Sequence, residues 1–543
     1  MIEINYEGQN YEFEEDISLK EIGEILVPGN NFVGAVFNNV VKNLNYVTEK
    51  GGDISFFDGR CKDGHSILTR TITFVFLLAV KKILPEKKVN VEHSMGAGIY
   101  LEFDDGEAMK WDLIKEIKKE MKNIIEADIP LIRRTVDMTI AKVLFKAEGY
   151  DDKLRLFDTL DFDTVDVYEV EDHIFTFHGY LAPSTSYVSK FDVVSYYPGA
   201  IVIIPTRQEP DMLPEFKEEK SLAKIFAGSK KWTDLLKIGD VAALNERIIR
   251  DDIDFLIKVN EAYIENQIAE MAQDITEDPT VNVVLIAGPS SSGKTTLSYR
   301  LSVQLGVRGM APVPIHMDDY FVDRVNTPRD ETGNRNYEML EAVDLKKFNE
   351  DLLRLIQGEE VELPEFDFVD GVSRPSGRRI QLDDNSIIII EGIHGLNPGL
   401  TSLIPEKNKY KIYVSALTNL NIDSHNRIST TDMRLLRRMV RDFHTRGKSV
   451  DETFDDWPKV RRGEKEYIFP YQDFADRAID SSLVYEISVL KKHIYDLLKN
   501  YPEDGRHYKN VKRFLSFLKY FRDIENDAVV PNNSILREFI GDR

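Results

Sequence analysis

Residues 284–295 read Val-Leu-Ile-Ala-Gly-Pro-Ser-Ser-Ser-Gly-Lys-Thr. An apolar run passes into a turn of glycines and serines that ends in a lysine. From Gly288 to Thr295 the stretch satisfies G-x-x-x-x-G-K-[ST] in full. Its surroundings decide how it is read. The run VNVVLIAG before it has the composition of a buried strand, and Leu297, Leu301 and Leu305 follow at helical spacing. Strand, glycine-rich turn and helix in that order predict a phosphate-binding loop (P-loop). Gly288 and Gly293 let the backbone approach an anion, and the N–H groups of Ser290, Ser291, Ser292 and Thr296 are its donors. Lys294 is expected to reach the β- and γ-phosphates, and Thr295 to ligate Mg²⁺. A chance glycine- and serine-rich turn is the competing reading, and it leaves the flanking strand and helix unexplained.

Such a loop implies a nucleoside triphosphate but no particular chemistry, so the residues downstream must discriminate. VPIHMDDYF, at 313–321, is a short apolar strand ending in Asp318 and Asp319. Open α/β sheets place their ligands at the carboxyl ends of strands. A kinase of small molecules needs a proton acceptor for the attacking hydroxyl there. Asp318 fits that role, and a turn or helix-cap aspartate is the plainer alternative. SIIIIEG, at 386–392, carries Glu391 after its isoleucines, where a carboxylate can hold Mg²⁺ or its water. No N-K-x-D guanine motif occurs in this region.

DMRLLRRMVRDFHTRGK, at 432–448, is more unusual. At 100° per residue Arg434, Arg437, Arg438 and Arg441 share one face of a helix, while Leu436, Met439, Val440 and Phe443 share the other. Like charges on one face repel unless an anion lies against them. Arg446 and Lys448 follow. The pattern predicts a lid whose guanidiniums meet the phosphates; a basic face for a partner or RNA is the alternative.

The chain has 543 residues, 42% hydrophobic and 30% charged, with a net charge of −23. That length implies several domains of roughly 100–200 residues each. The acidic balance speaks against non-specific DNA binding. Cys61 is the one cysteine, so a disulfide within the chain is impossible. The N-terminus MIEINYEGQNYEFEED is acidic and alternating, unlike a signal peptide. The longest apolar run, Ile72 to Val80, is far short of the ~20 residues of a membrane helix. A soluble, cytoplasmic protein is expected.

Four regions are expected. Residues 1–60 read as a small β-rich unit opening on a hairpin. Residues 61–235 read as α+β, with helices over Ser66–Lys82 and Lys110–Ala127 and strands in VYEVEDHIFTFHGYL and SYYPGAIVIIPT. A helical connector covers 236–279. From 280 to 543 strands and helices alternate, the pattern of an α/β domain with a parallel sheet.

Seven landmarks in order, GPSSSGKTT, MDDYF, NYEMLEAVD, LPEFDF, IIIIEGIHGL, DMRLLRRMVRDFHTRGK and EKEYIFPYQDFAD, make residues 280–485 resemble the uridine kinase and phosphoribulokinase family of P-loop kinases. The resemblance implies ATP and Mg²⁺ as cofactors, Asp318 as base, and Lys294, Thr295 and Glu391 serving ATP and Mg²⁺. It implies lid roles for Arg438, Arg441 and Arg446. It also implies an acceptor pocket of Phe321, Tyr337, Glu338, Phe366 and Phe368. Two departures concern that pocket. Uridine kinases carry aspartate where Glu338 stands, and a histidine soon after the segment that here reads Phe366-Asp367-Phe368-Val369-Asp370. Lys448 replaces an arginine.

DGHSILTRTITFVFLLAV, VEHSMGAGIYLEFD and HGYLAPSTSYVSKFDVVSYYPGAI resemble the amino-terminal editing region of threonyl-tRNA synthetases, and residues 1–60 resemble its preceding β-grasp (TGS-like) domain. That family's editing site has a histidine pair at i, i+4 and a later Cys-x-x-x-His. Here the positions read His65, Thr69, Phe177 and Leu181. The resemblance therefore implies the fold without the editing site. His93, His173 and His178 lack metal-ligand spacing with His65, and a structural role is expected for them.

The expected activity is ATP-dependent phosphorylation of a small-molecule hydroxyl, foremost the 5′-OH of a uridine- or cytidine-like nucleoside. A sugar phosphate or a pantothenate-like alcohol is the alternative acceptor. A regulator that binds RNA or tRNA and senses ATP is the alternative class. Neither DNA nor a membrane is an expected partner, and a homo-oligomer is compatible with the sequence.

Overall fold

The computed structural model describes residues 1–331, 333–367, 370–418 and 420–541. Five parallel strands organise the second half, in the order Ala311–His316, Ser386–Glu391, Val283–Ala287, Lys409–Ser415, Arg477–Asp480. Every residue of the central strand Val283–Ala287 is buried, as a strand covered on both faces must be. Leu297, Leu301 and Leu305, at i, i+4 and i+8 of the helix Lys294–Val307, are fully buried in the large core beneath that sheet. Helix Ile253–Glu277 and the C-terminal residues Ile535, Leu536 and Phe539 join the same core.

The first half packs two further units ahead of that sheet. Gln9–Phe13, Ile2–Tyr6, Gly52–Phe57, Gly34–Phe37 and Val40–Asn43 form a mixed sheet with helix Leu19–Leu26 beside it. Next come helix Lys62–Ile83, a four-stranded sheet containing Val89–Met95 and Gly98–Phe103, and a three-stranded sheet around Thr164–Val170. SYYPGAIVIIPT is not one strand. It contributes the end of Asp192–Tyr196 and all of Gly199–Ile203, an antiparallel pair that turns at Tyr197–Pro198. The proline cannot donate to a ladder, so the chain reverses there. The connector is also two helices, Val241–Ile249 and Ile253–Glu277, parted where Asp251 takes a positive φ of 56°. Among the described residues no helix is long and apolar enough to cross a membrane.

Candidate phosphoryl-transfer site

Two glycines allow the loop to form. A Cβ on Gly288 would run into the Val414 carbonyl oxygen, and Gly293 takes φ +81°, a conformation that L side chains rarely adopt. The helix Lys294–Val307 begins directly after Gly293, so its first N–H groups face the loop. Lys294 turns its ammonium back onto the carbonyls of Gly288 (2.9 Å) and Pro289 (3.2 Å). Burial lowers its pKa, against the nearby carboxylates of Glu391, Glu538 and Glu464, which act to raise it. The Ser291 and Ser292 hydroxyls are buried and have no hydrogen-bond partner among the described residues. Thr295 Oγ1 donates to Glu391 Oε1 at 2.8 Å. Unpaired donors, an ammonium resting on loop carbonyls and a hydroxyl–carboxylate pair fit a bound triphosphate and its Mg²⁺. Mg²⁺ characteristically takes only one or two protein ligands and fills its shell with phosphate oxygens and water.

Asp318 lies in the single turn Met317–Tyr320, directly after the strand Ala311–His316. Its side chain keeps access to solvent while protein encloses it on other sides. That enclosure, with the charges of Glu391 and Asp319, pushes its carboxyl above the ordinary 3.8. Glu338 reaches the same space. Desolvation raises its pKa, while it feels Lys294, Asp318 and Arg438. Gly463 lies beside it: a Cβ there would make ordinary van der Waals contact with Glu338, 3.5 Å from its Oε2.

The expected aromatic pocket is only partly available to an acceptor. Phe321 and Phe366 are buried and meet edge to face at 5.7 Å, with Tyr337 packed against both. Phe366 is therefore packed into the core rather than left as a free stacking surface, and Tyr337, packed beside it, is only partly buried. Phe368 lies outside the described residues.

The arginine helix corrects the expectation most. It spans Thr430–Arg446, from a Ser429 cap to left-handed Gly447. Arg434 and Arg437 are not presented to a ligand. Arg434, 2% exposed, binds both Glu464 oxygens and the Ser290 carbonyl. Arg437, fully buried, binds Glu486 (Nε, 2.8 Å) and the carbonyls of Ser291 and Ser481. Arg438 Nε (3.2 Å), Arg441 Nη2 (3.0 Å) and Arg446 Nη1 (3.7 Å) gather on the buried carboxylate of Asp442. The anions that relieve this face are thus the chain's own carboxylates. Phe443, expected on the apolar face, is 43% exposed. Arg438 also donates to Ser290 Oγ at 3.1 Å, so the helix lies against the loop instead of standing off as a separate lid. Asp442 was legible at i+4 from Arg438; Glu464 and Glu486 carry no local signal.

Two carboxylates already occupy loop donors. Glu464 accepts from Ser290 N–H at 3.1 Å. Glu538, in the short C-terminal helix Arg537–Ile540, accepts from Thr296 Oγ1 at 2.8 Å and from its N–H at 3.4 Å. Ile535 packs so tightly on Gly293 that a Cβ there would overlap it. None of these three partners, Glu464, Glu538 and Ile535, was foreseen from the sequence.

In the first half, Phe177 and Leu181 are core residues and the Thr69 hydroxyl bonds the His65 carbonyl. His93 stacks on Phe226 at 3.6 Å, and burial takes it down to about 3. His173 contacts Glu148 at 3.3 Å. Among the described residues no group of three or more His, Cys, Asp or Glu side chains could hold a metal ion.

Residues 283–488 match the profile of the phosphoribulokinase/uridine kinase family. The uridine kinase of Bacillus mycoides is 30% identical over 196 residues, which are 36% of this chain and 82% of that protein. The chain belongs to this family. Its first half is similar to another group: the threonine–tRNA ligase of Syntrophomonas wolfei is 29% identical over 192 residues, 35% of this chain. The chain spans only 30% of that ligase's length. A solved structure of a possible uridine kinase from Bacillus stearothermophilus shares 22% identity over 37% of this chain and 89% of that one, with a TM-score of 0.23.

Proposed function

We propose that this protein transfers the γ-phosphoryl group of ATP to a hydroxyl of a small molecule, foremost the 5′-OH of a nucleoside. The observation that carries this reading is the convergence of Asp318, Glu338, Glu391 and Lys294, each of which lies within electrostatic reach of another at the mouth of the loop. ATP with Mg²⁺ supplies an electrophilic phosphorus and a leaving ADP. Asp318 takes the proton of the attacking hydroxyl as the new O–P bond forms. Lys294 and Arg438 hold negative charge at the loop, and Thr295 with Glu391 provides the metal's protein ligands. Glu338 offers a carboxylate acceptor for further hydroxyls of the substrate.

ADP release by the pure protein, screened against nucleosides, pentose phosphates and vitamin alcohols, tests the acceptor. Stimulation by nucleosides is expected. Stimulation by sugar phosphates alone would reject the nucleoside and keep the kinase.

The raised pKa of Asp318 has a consequence for rate. A base must be ionised, so activity is lost as pH falls through its pKa. The acid limb of kcat/KM is expected above 3.8, the ordinary aspartate value. A limb at or below that value would remove Asp318 as the titrating base.

Glu538 occupies donors at the helix N-terminus that a phosphate would otherwise take. Nucleotide must displace it, which lowers apparent affinity by the fraction of molecules in the open state. Glu538→Gln is expected to tighten ATP binding by on the order of tenfold. Calorimetric titration with a non-hydrolysable ATP analogue measures this, and weaker binding in the variant would assign Glu538 a supporting role instead.

A further inference from the structure

Between the strand Lys409–Ser415 and the arginine helix, residues 420–428 of the second half are held by the first half. Lys153, from the helix Asp151–Asp158, pairs with Asp423 at 2.7 Å, with side chains 0% and 3% exposed. The same carboxylate accepts the N–H groups of His425 (2.9 Å) and Asn426 (3.1 Å) and the Asn426 side-chain amide (2.9 Å). Asp152, beside Lys153, accepts the Ser424 N–H at 2.8 Å, and the Ser424 carbonyl accepts the Val91 N–H at 2.8 Å. Asn426 donates to the Thr176 carbonyl at 3.1 Å and accepts the His178 N–H at 2.6 Å. The buried His425 ring lies among Tyr150, Phe175 and Phe177, with ring centres 5.1, 6.1 and 6.2 Å away. Phe177 stands where the editing resemblance places its cysteine, so a loop of the second half lies against that position.

This anchorage leads directly into the arginine helix. Only Arg427 and Ile428 separate Asn426 from the Ser429 cap, and Ile428 is buried in the core of the second half. Lys62, also from the first half, pairs with Asp432 in the helix's first turn at 3.1 Å. A helix carries a shift of its first turn along its axis. Arg438 stands nine residues past the cap, about 14 Å along that axis, and donates to Ser290 Oγ of the glycine-rich loop. Arg434 reaches the Ser290 carbonyl from the same helix.

We propose that the first half is a positioning clamp for the arginine helix: Lys153, through Asp423, fixes residues 420–428 and so keeps Arg438 and Arg434 on the glycine-rich loop. Lys153 touches no substrate and is a positioning residue. Its loss is felt at the nucleotide site of the other half.

Full-length protein carrying Lys153→Met tests the clamp. Hydrogen exchange of the amides of the arginine helix is expected to quicken on the order of tenfold, while those of the helix Lys294–Val307 keep their rates. Affinity for a non-hydrolysable ATP analogue is expected to fall on the order of tenfold. The nucleotide effect rests on the ATP site proposed for the loop; hydrogen exchange does not, so failure of that site and failure of the clamp are read separately. Lys153→Met leaves a buried charge unpaired, so a lower thermal midpoint accompanies it. Adding Asp423→Asn removes that charge, and the double variant is expected to recover the midpoint but not the exchange rates or the affinity. Should Lys153→Met fail to fold, Asn426→Ala removes the bonds to Thr176 and His178 without a change of charge, and faster exchange confined to the arginine helix is again expected. Unchanged exchange in the arginine helix, exchange that quickens equally in both helices, or recovery of the exchange rates together with the midpoint in the double variant would each overturn the proposal.

Discussion

Asp318→Asn is expected to reduce turnover by roughly 10²–10⁴-fold while leaving ATP affinity close to that of the unchanged protein. The substitution keeps the shape of the side chain but removes the proton acceptor. Asp318 makes no side-chain hydrogen bond among the described residues, so the fold loses little by the change. Neighbouring carboxylates already disfavour its charge, and the amide relieves that repulsion. Single-turnover phosphoryl transfer, measured beside equilibrium nucleotide binding, separates the two effects. Turnover near that of the unchanged protein would remove Asp318 as base. A parallel loss of ATP binding would move it into the nucleotide site.

The second large effect concerns stability. Arg434 and Glu464 are each 2% exposed and paired, and Glu464 also holds Arg461 and the Ser290 N–H. Removing one member of a buried pair leaves an uncompensated charge, at a cost of ~3–5 kcal/mol. Arg434→Ala is therefore expected to lower the midpoint of thermal unfolding by several degrees and to loosen the loop, which loses the bond to the Ser290 carbonyl. Arg434→Met with Glu464→Leu, replacing both charges by apolar groups, is expected to recover much of that loss. An unchanged midpoint in Arg434→Ala would show that the pair contributes little. The pair also sets a pH window. Burial acts to raise Glu464, but Arg434 and Arg461 prevail and hold it below its ordinary 4.5. A depressed carboxylate contributes fully above that value, and its contribution is lost as pH falls through the lower folded pKa.

Much of the site was readable in advance because it depends on local geometry. Gly288 and Gly293 meet steric limits set by backbone conformation, and Leu297, Leu301 and Leu305 mark one helical face. Asp318 follows one apolar strand and Glu391 ends another, at the edge where a parallel sheet exposes its ligands. The pocket aromatics were less legible. Residue type told that Phe321 and Phe366 are aromatic, but not that they pack against each other.

The arginine helix marks the boundary. Its periodicity determined that Arg434, Arg437, Arg438 and Arg441 share a face, because the 3.6-residue repeat is a local property. Periodicity also implied that an anion must lie against them. Only the tertiary structure decided that Glu464, Glu486 and Asp442 are those anions. Glu464 lies 30 residues from Arg434, Glu486 lies 49 from Arg437, and Glu538 lies 242 from Thr296. The contact between the two halves of the chain follows the same rule: Lys62 meets Asp432 across 370 residues. Charge pairing acts through space over a few ångströms, whereas sequence periodicity reports only neighbours along the chain. The sequence alone determined the loop, the strands that frame it and the facing of its helices. Folding decided which charges remain free to meet a ligand.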